Sequence, residues 1–217
     1  MFLQSAVGYY HGFLLRLQRE FGVDVNVDVS LCCVASVDKQ SFERRTWGLA
    51  AVRKTLICLG DLMRYSLDLS SNEQDFYLAE HYYLEAYAID PTQGMAMNQL
   101  GTLAEQRNFG IDALFYYLRG LLSKESFEGT RGNISFVLKR AKKTWEQLNS
   151  GDADKFTCAD QFKLAFVTLM EIYFEDVQIS PQEFAVFCPN GRQEEQFIAS
   201  TQRCIACQPT GGHGATR

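Results

Sequence analysis

Proline is nearly missing from this chain of 217 residues: there are four, and none lies between Met1 and Asp90. Proline breaks helix interiors and is confined to the edges of sheets, so so long a stretch without it suits uninterrupted helices. Histidine is scarcer still. His11, His81 and His213 are scattered and offer neither a facial ligand set nor a catalytic triad. No strand precedes a glycine cluster that could cradle phosphates, and no paired-carboxylate site can be argued. These absences read as a non-enzymatic protein without a cofactor. No run approaches the roughly 18 apolar residues of a membrane span, and no basic start of a secretory signal is visible. A cationic excess is also missing. Lys and Arg number 21 against 26 acids, a formal charge of -5, which disfavours wholesale binding of a phosphate backbone but allows a local basic patch.

What is present is enough apolar material for a core: 47% apolar and 13% aromatic residues argue against global disorder. The length fits one domain with appendages. Seven cysteines form an odd set, several within apolar helical patterns, where a free thiol behaves as a small buried hydrophobe. The expectation is a soluble protein of a reducing compartment. Cys204-x-x-Cys207 with His213 supplies three candidate zinc ligands, whereas a closed structural site takes four. A mobile tail is the better reading of that segment.

Apolar periodicity predicts helices over 2–21, 47–66, 73–89, 93–107, 111–125, 130–148 and 157–177. In the first, Phe2, Ala6, Tyr9, Tyr10, Phe13, Leu14 and Leu17 form a wide apolar face that needs a partner. Residues 22–45 alternate valine with polar residues, yet one unpaired strand is marginal, so they read as an extended loop.

The middle of the chain carries an internal repeat. Leu59-Gly60 followed by Ala79, Tyr83, Ala86 and Pro91 fits the small-and-aromatic pattern of a tetratricopeptide helix pair. Leu100-Gly101 followed by Ala113, Tyr117 and Gly120 repeats it, with Glu125 where the closing proline would stand. Ala79 to Ala113 is 34 residues, one repeat length. Leu59 to Ala79 is seven residues longer than Leu100 to Ala113, which places an insertion near LDLSSNEQD. Small residues let two helices approach and the aromatic fills the gap beside them. The expected fold is all-α, with antiparallel helix pairs stacked into a right-handed superhelix.

Two groups could carry recognition. Arg64 and Tyr65 end the segment CLGDLMRY. Arg64 can pair with Asp61 at i, i+3, or it can present a rigid fork to phosphate oxygens beside the Tyr65 hydroxyl. Asn98 shares a small polar face with Gly101, Thr102 and Glu105, suited to solvent or to the backbone of an extended peptide. The run Arg131, Lys139, Arg140, Lys142 and Lys143 contains no acid. It reads as a solvated helix face, with RNA or an acidic peptide as the alternative ligand. His81, in HYYLEAY, reads as a packed or rim residue.

The segments CLGDLMRY, AEHYYLEAYAIDPTQGMAMNQLGTLAEQRNFGIDALFYYLRG and SFEGTRGN resemble the telomerase-regulator/SMG family of nonsense-mediated mRNA decay adaptors. NQLGTLA with SFEG is nearest to its SMG-five type. The resemblance covers roughly residues 5–180 and is densest over 56–133. It implies a 14-3-3-like helical domain over 1–150, the start of a helical hairpin region at 151–180 and a flexible tail at 181–217. It also implies a non-catalytic adaptor that docks phosphoserine or phosphothreonine segments of the phosphorylated decay helicase and pairs with a paralogous subunit. A cytoplasmic location is implied, with nuclear shuttling left open. By the family pattern Arg64 and Tyr65 would contact phosphate and Asn98 the peptide backbone. A further basic residue of the family's groove would lie upstream of Met1, and the C-terminal PIN domain has no counterpart here. The expectation is of a truncated module, and the alternatives are an RNA-binding module and a plain helical scaffold.

Overall fold

The computed structural model describes residues 2–23, 39–70, 72–149 and 156–175. Seven α-helices account for most of them, and the described residues contain no strand. They are α1 (Phe2–Phe21), α2 (Lys39–Ser70), α3 (Glu73–Ile89), α4 (Met95–Ala104), α5 (Ile111–Leu121), α6 (Thr130–Asn149) and α7 (Cys158–Glu175). The chain divides into two units, Met1–Thr168 and Leu169–Arg217. The second is described only over the last turns of α7. No described helix is long and apolar enough to cross a membrane.

Helices α2 with α3 and α4 with α5 are the two tetratricopeptide-type pairs. Their shared logic is a glycine pressed against a tyrosine. A Cβ on Gly60 would lie 2.4 Å from the Tyr83 ring, and one on Gly101 would lie 2.4 Å from the Tyr117 ring. Ala79, Tyr83, Ala86, Ala113 and Tyr117 are fully buried, as the repeat register requires. One core runs from Leu14 and Leu17 of α1 through Val52, Leu56 and Leu59 of α2 to Met97 and Leu100 of α4. Beyond it, Ile134, Val137 and Leu138 of α6 are also fully buried.

The second repeat lacks the closing proline for a reason visible in the backbone. The Glu125 N–H donates to the Thr92 carbonyl at 2.9 Å, and the Gly94 N–H donates to the Glu125 carbonyl at 2.8 Å. This short bridge ties the α3–α4 link to the turn after α5. Proline at 125 could not donate.

Several boundaries differ from those expected. Lys39–Arg45 belong to α2 rather than to a loop. Their lack of apolar periodicity hides a turn anchored from outside: Arg44 pairs with Glu20 at 2.7 Å and lies over the Phe21 ring, which itself packs on Trp47. Helix α4 stops at Ala104, short of residue 107. After it Asn108 and Phe109 adopt positive φ values of 46° and 55° and Gly110 one of 87°, which ends any helix. Helix α5 stops at Leu121, short of residue 125, because residues 122–125 turn to make the bridge. The extended segment read over 24–38, the tail at 181–217, and Cys204, Cys207 and His213 lie outside the described residues.

The apolar face of α1 is divided. Leu14 and Leu17 are buried, and Val7 and Tyr10 pack against the core, while Phe2, Tyr9 and Phe13 remain exposed. His11 meets the Tyr82 hydroxyl of α3 at 3.0 Å. His81 is a rim residue, 3.2 Å from Glu85.

Candidate functional site: a groove at the step between repeats

The seven-residue insertion has a concrete form. Helix α2 continues ten residues past Gly60, whereas α4 continues three past Gly101. Helix α3 starts six residues before Ala79, and α5 starts two before Ala113. The first pair therefore stands taller at this end than the second. The tall end is tied together at Asp75, which accepts hydrogen bonds from Ser66 at 2.7 Å and Ser70 at 3.2 Å. Asn72 caps α3, its side chain accepting from the Gln74 N–H at 3.2 Å.

At the step between the pairs lies a groove of about 720 Å³. The tall pair contributes Arg64, Leu67, Asp68, Glu73 and Phe76, and the second repeat contributes Thr102, Leu103, Glu105, Gln106 and Arg107. Every contribution of the first pair falls between Gly60 and Ala79, within the longer segment.

Arg64 is the most enclosed cation here, its side chain 17% exposed. Its Nη2 lies 3.4 Å from Asp61 Oδ1, and that oxygen also accepts from the Tyr83 hydroxyl at 2.8 Å. The repeat tyrosine thus packs on glycine with its ring and braces the Asp61–Arg64 pair with its hydroxyl. Burial opposes the guanidinium charge, but Tyr83, Tyr65 and Asp61 outweigh it and raise the Arg64 pKa. Burial, reinforced by Asp61, raises that of Tyr83. Arg64 Nε is buried without a hydrogen-bond partner among the described residues. An unmet donor of that kind is uncommon and calls for an explanation.

The sequence-derived candidates are not all brought together. Arg64 lines the groove. Tyr65 does not; it is 47% exposed, and its ring sits 4.6 Å from the Arg64 guanidinium carbon. Asn98 is 4% exposed and turned towards α6, where its Oδ1 accepts from Thr130 at 3.1 Å and Asn133 at 3.0 Å. Of the polar face it heads, only Thr102 and Glu105 reach the groove. Both are held by Tyr117, whose hydroxyl lies 3.1 Å from Thr102 Oγ1 and donates to Glu105 at 2.5 Å. Burial and Glu105 together raise the Tyr117 pKa.

On α6, Arg131, Lys139, Lys142 and Lys143 are exposed. Arg140 departs from that face: it is half-buried, and its guanidinium donates to the Glu105 carbonyl. Among the described residues no group of three or more His, Cys, Asp or Glu side chains could hold a metal.

Sequence reasoning missed Arg107. It sits in the turn after α4, its guanidinium carbon 3.5 Å above the Phe76 ring and its Nη2 3.5 Å from Glu73. The available signal was the insertion itself, since unequal repeat lengths imply a step whose edge is lined by loop residues.

Known proteins place this architecture. Residues 1–70 match the model of the telomerase activating protein Est1, and residues 79–193 match the Est1 DNA/RNA binding domain. The chain is 31% identical over 163 residues to the human nonsense-mediated mRNA decay factor SMG5, covering 71% of this chain and 16% of that protein. It is 25% identical over 153 residues to the Arabidopsis thaliana decay factor SMG7, covering 68% and 14%. It is also 25% identical over 146 residues to the zebrafish telomerase-binding protein EST1A, covering 67% and 9%. The aligned chain thus spans about a sixth or less of these relatives. With its all-helical, 14-3-3-like fold of stacked helix pairs, the chain belongs to the Est1/SMG family and is SMG5-like.

Proposed function

We propose that this chain is the phosphoresidue-docking part of a non-catalytic adaptor in nonsense-mediated mRNA decay. Its ligand is a phosphoserine or phosphothreonine segment of the decay pathway's phosphorylated RNA helicase, and a paralogous 14-3-3-like subunit is its dimer partner. The observation that carries this reading is Arg64: an enclosed guanidinium, held in a groove by Asp61 and Tyr83, with Nε unpartnered. A phosphate group carries three strong acceptor oxygens and suits such a donor. The groove also holds Asp68, Glu73 and Glu105, which disfavour a continuous polyanion and suit a short segment with one concentrated charge. Relatives named as decay factors supply the pathway, and the adaptor would work in the cytoplasm.

The test is a titration of a phosphoserine peptide from the helicase and its unphosphorylated twin against wild type and Arg64→Glu. The phosphopeptide should bind wild type preferentially, and the substitution should weaken it roughly tenfold or more, the loss of a charge-assisted contact. Equal weak binding in all four combinations would sink the assignment.

A second reading has its own support, the description of the matched model as a DNA/RNA binding domain. Lys139, Lys142 and Lys143 on the exposed side of α6 would then contact phosphates. RNA binding with a steep salt dependence, abolished by charge reversal at Lys142 and Lys143, would favour it.

A further inference from the structure

We propose that Arg107 is the second cation of the phosphate site and that Glu73 is the carboxylate the phosphate displaces; this rests on the phosphoresidue reading above. A phosphorylated side chain carries about -1.5 to -2 charges near pH 7. Arg64 alone does not match that charge, because Asp61 lies 3.4 Å from its guanidinium. Arg107 is the other cation among the groove's lining residues. It comes from the neighbouring repeat, so the two arginines approach the groove from both sides of the step.

Its geometry suits the role. The guanidinium carbon lies 3.5 Å over the ring of Phe76, which is buried at the base of α3. Stacking uses the face of the group and leaves its N–H edge for a planar, bidentate acceptor. That edge is engaged weakly: Glu73 is 3.5 Å away, and the two side chains are 41% and 71% exposed. Exposed ion pairs of this kind contribute little, whereas phosphate accepts two parallel, charge-assisted hydrogen bonds from arginine. Glu73 keeps the arginine over Phe76 until a stronger anion takes its place.

The test measures affinity for the phosphoserine peptide and its unphosphorylated twin with Arg107→Ala, Arg107→Lys and Glu73→Gln beside wild type and Arg64→Glu. Thermal melts check that each variant is folded. Arg107→Ala should weaken the phosphopeptide roughly tenfold and leave the twin unchanged, as expected for one lost charge-assisted contact. Arg107→Lys, which keeps charge but not the planar fork, should fall between the two. Glu73→Gln should tighten phosphopeptide binding about twofold by removing a competitor of small worth. If phosphate preference and Arg64 dependence persist while the Arg107 and Glu73 variants bind like wild type, the second-cation inference is overturned and the docking reading stands. If wild type shows no phosphate preference, both fall together.

Discussion

The two helix pairs share one hinge and differ above it. In each, a glycine on the first helix receives the ring of a buried tyrosine on the second, and that tyrosine's hydroxyl donates to a carboxylate a few residues beyond the glycine. In the first pair the carboxylate is Asp61, one residue beyond the glycine and three before Arg64. In the second it is Glu105, four residues beyond the glycine, where α4 has already ended. One tyrosine thus orients an arginine in a groove, and the other secures the lip of that groove through Thr102 and Glu105. Repetition supplies the scaffold, and the length difference between the repeats supplies the site.

That comparison can be broken at its root. Tyr83→Ala and Tyr117→Ala each empty a fully buried ring site against a glycine, and each should lower stability by about 3–5 kcal/mol. Urea or thermal unfolding would show it, and a much smaller loss at one tyrosine would mean the hinges are not equivalent. A finer substitution separates the two roles. Tyr83→Phe and Tyr117→Phe keep the packing and remove one hydrogen bond to a carboxylate, a loss of roughly 1.5–3 kcal/mol in each case. Only Tyr83→Phe should also weaken phosphopeptide binding, by about two- to fivefold through a less well held Arg64. Equal effects on binding would show that the hydroxyl does not position the arginine.

Much of the scaffold was legible because packing imposes residue types at fixed offsets. Ala79, Tyr83 and Ala86 announce a close helix approach, and Ala113, Tyr117 and Gly120 announce it again one repeat later. Segments fixed by single long-range contacts carried no such mark. Lys39–Arg45 look polar and aperiodic, and the contacts to Glu20 and Phe21 that anchor them there are not local. The end of α4 was overextended because Asn108 and Phe109 take positive φ without being glycine, and that of α5 because residues 122–125 turn to pair with the α3–α4 link. At the site, Arg64 stood out by its place one turn beyond Gly60. Arg107 did not, because it belongs to a turn and gains meaning only from Phe76 and Glu73, more than thirty residues earlier. Asn98 drew notice as part of a polar face, but that face is shared out: its side chain braces α6, and Thr102 and Glu105 edge the groove.

The most direct measurement follows the Arg64 Nε–H resonance in a nitrogen–proton correlation spectrum as the phosphoserine peptide is added, assigned by its loss in Arg64→Lys. The groove account predicts a large downfield shift of that one signal that saturates with the binding isotherm and fails to appear with the unphosphorylated twin. A resonance that stays in place while the phosphopeptide binds would contradict it.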